Sequence, residues 1–214
     1  MTKVIAIDGP AGAGKSTLAQ AVADHLGLAR LDTGAMYRAV AWQALARGLD
    51  VDDTGSVGEM ARRLAIEVGD RVTVDGTDVT GEIRSARVDR AVSAVAANPE
   101  VRATLVQRQR RWVAERGAGV VEGRDIGTVV LPDADLKIYL TARTGERARR
   151  RATERDDGRS VAEIASDLER RDHLDSTRSD SPLIKPEDVA DDAVVIDSTG
   201  KSADAVLREV LACL

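Results

Sequence analysis

Cysteine occurs once, at Cys213, and phenylalanine not at all. A single thiol excludes any internal disulfide, which fits a reducing compartment. His25 and His173 are the only histidines, so no His/Cys zinc site can be assembled. Trp42, Trp112, Tyr37 and Tyr139 are the only aromatic residues. A protein that binds single-stranded nucleic acid stacks bases on several rings, so that class starts weak. Long apolar runs are missing too: the run over residues 4–7 stops at Asp8, far short of a signal peptide or a membrane span. We therefore expect a cytoplasmic monomer without nucleic-acid or membrane partners.

The 214 residues suit one α/β domain with insertions, and its core must be built from Val, Leu, Ile and Ala. A net charge of −5 favours solubility and gives no sign of a polyanion track. Residues 3–7 read as a buried strand, stopped by Asp8-Gly9-Pro10. A helix follows from Lys15, with Leu18, Ala21, Val22 and His25 on one face and Gly27 to end it. Residues 28–31 read as a second strand, and Asp32 or Thr33 caps a helix that ends before Gly48. Beyond a short helix over 56–65, the segments 65–68, 71–74 and 78–83 alternate β-branched residues with Gly/Asp turns, which predicts a small antiparallel insertion. Asn98-Pro99-Glu100 reads as a helix start. Strands are expected at 119–121, 136–140 and 193–196, and helices over 144–155, from the Ser160-Glu163 capping box, and after Ser202. The β-α alternation implies a parallel sheet with helices on both faces.

Gly9-Pro10-Ala11-Gly12-Ala13-Gly14-Lys15-Ser16 fits G-x-x-x-x-G-K-[ST]. Glycines let the backbone curl so that successive N–H groups point at phosphate oxygens, and the next helix presents its positive end to them. Lys15 reaches the β- and γ-phosphates, the Ser16 hydroxyl can ligate Mg²⁺, and Thr17 completes the ATP-binding segment. The strand before and the helix after the loop are the context this motif requires. Gly200-Lys201-Ser202 is a decoy, because Val195 stands where the first glycine belongs. No Asn-Lys-x-Asp guanine reader occurs, and a small-molecule kinase fits the length.

Further motifs follow in order: Asp32-Thr33-Gly34-Ala35-Met36-Tyr37-Arg38, Glu122-Gly123-Arg124-Asp125-Ile126-Gly127-Thr128, Arg170-Arg171-Asp172 through Asp175, and Arg178-Ser179-Asp180-Ser181-Pro182-Leu183. With the glycine loop, they resemble the bacterial cytidylate kinases, the CMP/dCMP kinase family, along the whole chain. The resemblance implies a P-loop core from residues 1–37, 112–142 and 160–214, a monophosphate lobe over 38–111 and a lid over 143–159. It implies transfer of the ATP γ-phosphoryl to CMP or dCMP with Mg²⁺. It places Thr33, Arg102 and Asp125 at the cytosine, Arg38, Arg124 and Arg178 around the phosphates, and Ser93, Arg171 and Asp175 around the ribose, with Tyr37 in the acceptor motif. Lys15, Arg124 and Arg178 would carry catalysis. Glu122 stands where many members have Asp, and Thr33 where some have Ser; each keeps its functional group.

Taken alone, Arg171 and Asp175 could be a surface ion pair, but Val161, Ile164 and Leu168 lead along the same helix face into them, which turns the pair inward. Arg147, Arg151 and Arg155 share a face, and we expect some of them to contact ATP. His173 is expected to be structural or superficial, and Trp42 and Trp112 to be packing residues. Two rivals stay open at this point: a small P-loop kinase with another acceptor, and a non-catalytic nucleotide-binding regulator.

Overall fold

The computed structural model describes residues 3–154, 158–177, 183, 186, 189 and 191–214. The chain divides into two units, residues 1–30 with 117–214, and residues 31–116.

The first unit is organised by a five-stranded sheet in the order β2-β6-β1-β7-β8. Its strands are β1 (Val4–Asp8), β6 (Gly119–Glu122), β7 (Leu136–Thr141) and β8 (Ala193–Asp197), with β2 (Arg30–Asp32) starting at the residue where the chain passes to the second unit. β1 runs parallel to both β6 and β7, and β7 parallel to β8. Ile5, Ala6 and Ile7 are fully buried, which is why β1 reads as a continuous apolar run: a central parallel strand is covered on both faces. Helix α1 (Lys15–Leu26) lays Leu18 and Val22 onto Ile5, Ile7, Ile138 and Leu140, and α8 (Ala203–Leu211) adds Val206 and Val210 to the same core. Gly27 ends α1 at φ 65°, a left-handed position that glycine takes without a Cβ clash. A second apolar cluster joins Ala11 to Ala148 of α6 (Thr144–Glu154) and to Ile164 and Leu168 of α7 (Val161–Ser176). The capping box is formed: Ser160 and Glu163 satisfy each other's backbone N–H groups.

The second unit holds α2 (Thr33–Ala46), α3 (Thr54–Arg63), α4 (Ala86–Ala97) and α5 (Pro99–Arg116) around a small antiparallel sheet of β3 (Ile66–Val68), β4 (Val72–Val74) and β5 (Thr77–Asp78). Asp32 caps α2 by accepting from Ala35 N at 3.0 Å, and Asn98 Oδ1 caps α5 by accepting from Glu100 N at 3.0 Å. Asp75 and Gly76 both take positive φ, as the tight β4–β5 turn demands. The strand expected over 78–83 stops at Asp78. Its Oδ1 accepts from Thr80 N and Thr80 Oγ1, which folds the chain into a turn, and Glu82–Arg84 becomes a short 3₁₀ helix. Trp112 and Trp42 are half-buried, and Arg116 stacks over the Trp112 ring at 4.4 Å. Among the described residues, no helix is long and apolar enough to cross a membrane.

Candidate active site

The carboxyl ends of β1, β6 and β7 carry Asp8, Glu122 and Thr141, the end of a parallel sheet where ligands bind. The glycine loop springs from there. Gly9 has φ 138°, and a Cβ on it would sit 1.9 Å from the Leu140 carbonyl oxygen, so no other residue fits. Gly12 and Gly14 also take positive φ, 76° and 96°. Gly14 caps α1 without a side-chain bond, and the first turn of α1 has no acid. The positive end of that helix is therefore left open to an anion. Ser16 and Thr17 are exposed on this turn. Lys15 Nζ donates to Pro10 O at 2.8 Å. Burial, and then the neighbouring Arg124 cation, push the Lys15 ammonium down to about 7, against the pull of Glu122.

Glu122, at the end of β6, is 3% exposed and engaged at both oxygens. Oε2 accepts from Ser16 Oγ at 2.8 Å, and Oε1 from Arg30 Nη1 at 2.8 Å. Asp8 accepts from Ile126 N and Gly127 N, each at 2.8 Å. These two bonds hold the start of a π-helical turn, Ile126–Val130, that the sequence reading did not anticipate. Burial outweighs both bonds and pushes the Asp8 carboxyl up to about 6. The turn fixes the chain just beyond Arg124 and Asp125. Arg124 Nη1 donates to Gly9 O at 2.5 Å and Nε to Asp175 Oδ2 at 3.1 Å. Asp175 is 1% exposed, with Arg171 Nε 3.9 Å from the same oxygen. The pair thus turns inward, and one carboxylate ties α7 to the segment after β6.

Behind the loop lies a cavity of about 430 Å3, lined by Gly14, Thr17, Leu140, Arg150, Lys201 and Val206 among others. Its walls mix aliphatic surface with a few polar groups, as a heteroaromatic base requires.

In the second unit, Arg38 Nη1 pairs with Asp89 at 2.6 Å and donates to Ile83 O at 3.1 Å. Thr33 and Arg102 are buried; Tyr37 and Ser93 are half-buried. Arg178 and Arg155 lie outside the described residues. Sequence reasoning missed Arg30, Asp89 and the role of Asp8. Asp8 had a visible signal, an acid closing an apolar strand directly before the glycines; Arg30 and Asp89 had none, because their partners are remote in the chain.

A family model described as cytidylate kinase matches residues 5–214. The chain is 49% identical to a cytidylate kinase of Desulfitobacterium hafniense, over 97% of this chain and 90% of the relative. It is 48% identical to a bifunctional pantoate ligase/cytidylate kinase of Trichormus variabilis, over 97% of this chain but only 40% of that longer protein. A gluconokinase structure from Sinorhizobium meliloti superposes with a TM-score of 0.54 at 14% identity, over 98% of this chain and 90% of that one. At that identity the likeness concerns the fold alone.

Proposed function

The chain belongs to the cytidylate kinase family, and from that premise we propose that its own residues carry γ-phosphoryl transfer from ATP to CMP or dCMP as follows. The loop over residues 9–16 takes the donor phosphates on its amides and on the open end of α1. Lys15 exchanges the Pro10 carbonyl for the phosphates. The 430 Å3 cavity beside Gly14 takes the donor base. For the acceptor, the family resemblance names Thr33, Tyr37, Arg38, Ser93, Arg102, Arg124, Asp125, Arg171, Asp175 and Arg178.

No general base is required. The acceptor is a phosphate monoester with a second pKa of about 6, so at neutral pH it is already a dianion and attacks directly. The protein has to align two anions that repel one another and to neutralise the charge that builds between them. Lys15 and Arg124 supply that charge on the donor side, and Arg38 and Arg178 on the acceptor side. Asp175 and Asp8 hold Arg124 and Asp125 in position from behind.

The Ser16 hydroxyl and the Glu122 carboxylate, 2.8 Å apart, are hard oxygen donors beside the loop and fit Mg²⁺. Among the described residues no group of three or more His, Cys, Asp or Glu could cage a metal. That suits a cation which takes most of its ligands from phosphate and water. When bound, it supplies charge neutralisation between the phosphates. The cytoplasm is the expected site of action.

The observation that carries this reading is the Lys15–Ser16–Glu122 arrangement at the ends of β1 and β6. ADP release measured with CMP, dCMP, UMP, AMP and shikimate as acceptors tests it. Activity confined to pyrimidine monophosphates is expected. Release driven by AMP or shikimate, or no acceptor-dependent release at all, would overturn it.

A further inference from the structure

Four carbonyl oxygens of the glycine loop each accept a hydrogen bond from a cationic side chain. Gly9 O takes Arg124 at 2.5 Å and Pro10 O takes Lys15 at 2.8 Å. Ala11 O takes Arg147 Nη1 at 3.1 Å, and Ala13 O takes Arg150 Nη1 at 3.2 Å together with Ser198 Oγ at 3.0 Å. Lys15 and Arg124 already have roles above. Arg147 has none, and Arg150 has so far only been one wall of the donor-base cavity. We infer that these two arginines of α6 are positioning residues that fix the direction of the Gly12 and Gly14 amides by holding the carbonyl of the preceding residue.

Across a trans peptide, the C=O of one residue and the N–H of the next point in opposite directions. Anchoring Ala11 O therefore aims the Gly12 N–H, and anchoring Ala13 O aims the Gly14 N–H. These are the two planes most in need of an anchor. Each ends in a glycine, whose lack of a Cβ lets the plane rotate at little cost, and Gly14 has no side chain to cap the helix. An unanchored loop would spread each N–H over several directions, and ligand binding would bear the ordering cost.

The anchors are themselves held. Arg147 is 5% exposed. Besides Ala11 O, its guanidinium donates to Ala142 O at 3.0 Å, to Asp172 Oδ2 at 2.6 Å and to Thr144 Oγ1 at 3.0 Å. Four of its five N–H donors are thus engaged with the protein itself. Arg150 donates to Glu146 Oε1 at 3.2 Å, to Ser198 Oγ at 3.0 Å and to Ser198 O at 2.7 Å. Ser198 is buried, and its one hydroxyl proton lies within reach of both Ala13 O and Thr141 O, each at 3.0 Å. The backbone of α6 also presses on the loop: a Cβ on Gly12 would lie 3.2 Å from both Arg147 Cβ and Arg147 O. The first two turns of α6 thus form a wall that shapes the loop before any ligand arrives.

The inference rests on the assignment of residues 9–16 to the donor phosphates, and the test separates the two. Amide spectra of the ligand-free protein report the loop itself, and ADP affinity reports its use. In ligand-free Arg150→Ala the Gly14 amide resonance should shift or broaden, and ADP should bind about tenfold more weakly, with CMP affinity unchanged. Arg147 is buried, so Arg147→Lys and Asp172→Asn serve in place of truncation and should perturb Gly12 in the same way. Arg150→Lys, which keeps one donor, should recover part of the loss. Unmoved Gly12 and Gly14 amides in the ligand-free variants would overturn the inference, whether or not affinity falls, because a fall alone would mean direct contact with nucleotide. A wild-type protein that fails to bind ADP would instead overturn the assignment of the loop.

Discussion

Lys15 carries the most consequence of any single side chain. Its ammonium is depressed to about 7 from an ordinary 10.5 by burial and by Arg124. Between those two values the unfolded chain binds more protons than the folded one, so this group makes ligand-free stability rise with pH across that window. Phosphate binding reverses the depression, because a dianion favours the charged amine. ADP binding should therefore take up a proton. Between pH 7.5 and 9, where its phosphates are already ionised, ADP affinity should fall with pH, by at most about tenfold per unit. Calorimetry in buffers of different ionisation heat checks this, and Lys15→Met should flatten the dependence. Asp8 gives a second prediction. Asp8→Ala leaves the Ile126 and Gly127 amides buried without an acceptor and should cost about 3 kcal/mol in denaturant unfolding. At this scale the loop and its lysine were legible because every part of the motif is contiguous. Arg30–Glu122 and Arg38–Asp89 were not, since 92 and 51 positions separate the partners and no local pattern links them.

Helix starts were the most legible elements, because a cap acts within four residues. Asn98, Ser160 and Ser202 cap where their side chains predicted, and of the two candidates Asp32 and Thr33 it is Asp32 that caps α2. Asn98 does more than cap. It is 2% exposed, and its Nδ2 donates to Thr54 O at 2.9 Å, which ties α5 to the first residue of α3. Asn98→Ala should lower stability by about 2 kcal/mol, as the cap and the bond to Thr54 O are lost together, measured by thermal or denaturant unfolding. The π-helical turn after Asp125 and the 3₁₀ turn at Glu82–Arg84 were not legible. The first depends on Asp8, more than a hundred positions away, and the second on a turn at Asp78 whose flanking residues have strand-like composition. Gly12 is a further test at this scale. Gly12→Ala forces a left-handed residue against α6 and should weaken ADP binding about tenfold or more while leaving CMP binding intact.

For the molecule as a whole, the parallel sheet and the antiparallel insertion follow from the two periodicities in the sequence, since buried parallel strands read as apolar runs and the insertion as alternation between Gly/Asp turns. Strand order is different: β1 lies between β6 and β7, strands more than a hundred residues later, and no periodicity encodes that. Donor and acceptor should protect different segments. Hydrogen exchange with ADP should slow chiefly in residues 9–18 and 140–150, and with CMP in the segments that carry Arg38, Arg102, Arg124 and Arg171. The central claim is that the glycine loop and its lysine hold a triphosphate for transfer to a pyrimidine monophosphate. The single-turnover rate of ADP formation by Lys15→Ala, at saturating ATP and CMP and with folding verified, tests it most directly. A fall of roughly 100- to 1,000-fold is predicted; a rate within about twofold of the unmodified protein would contradict it.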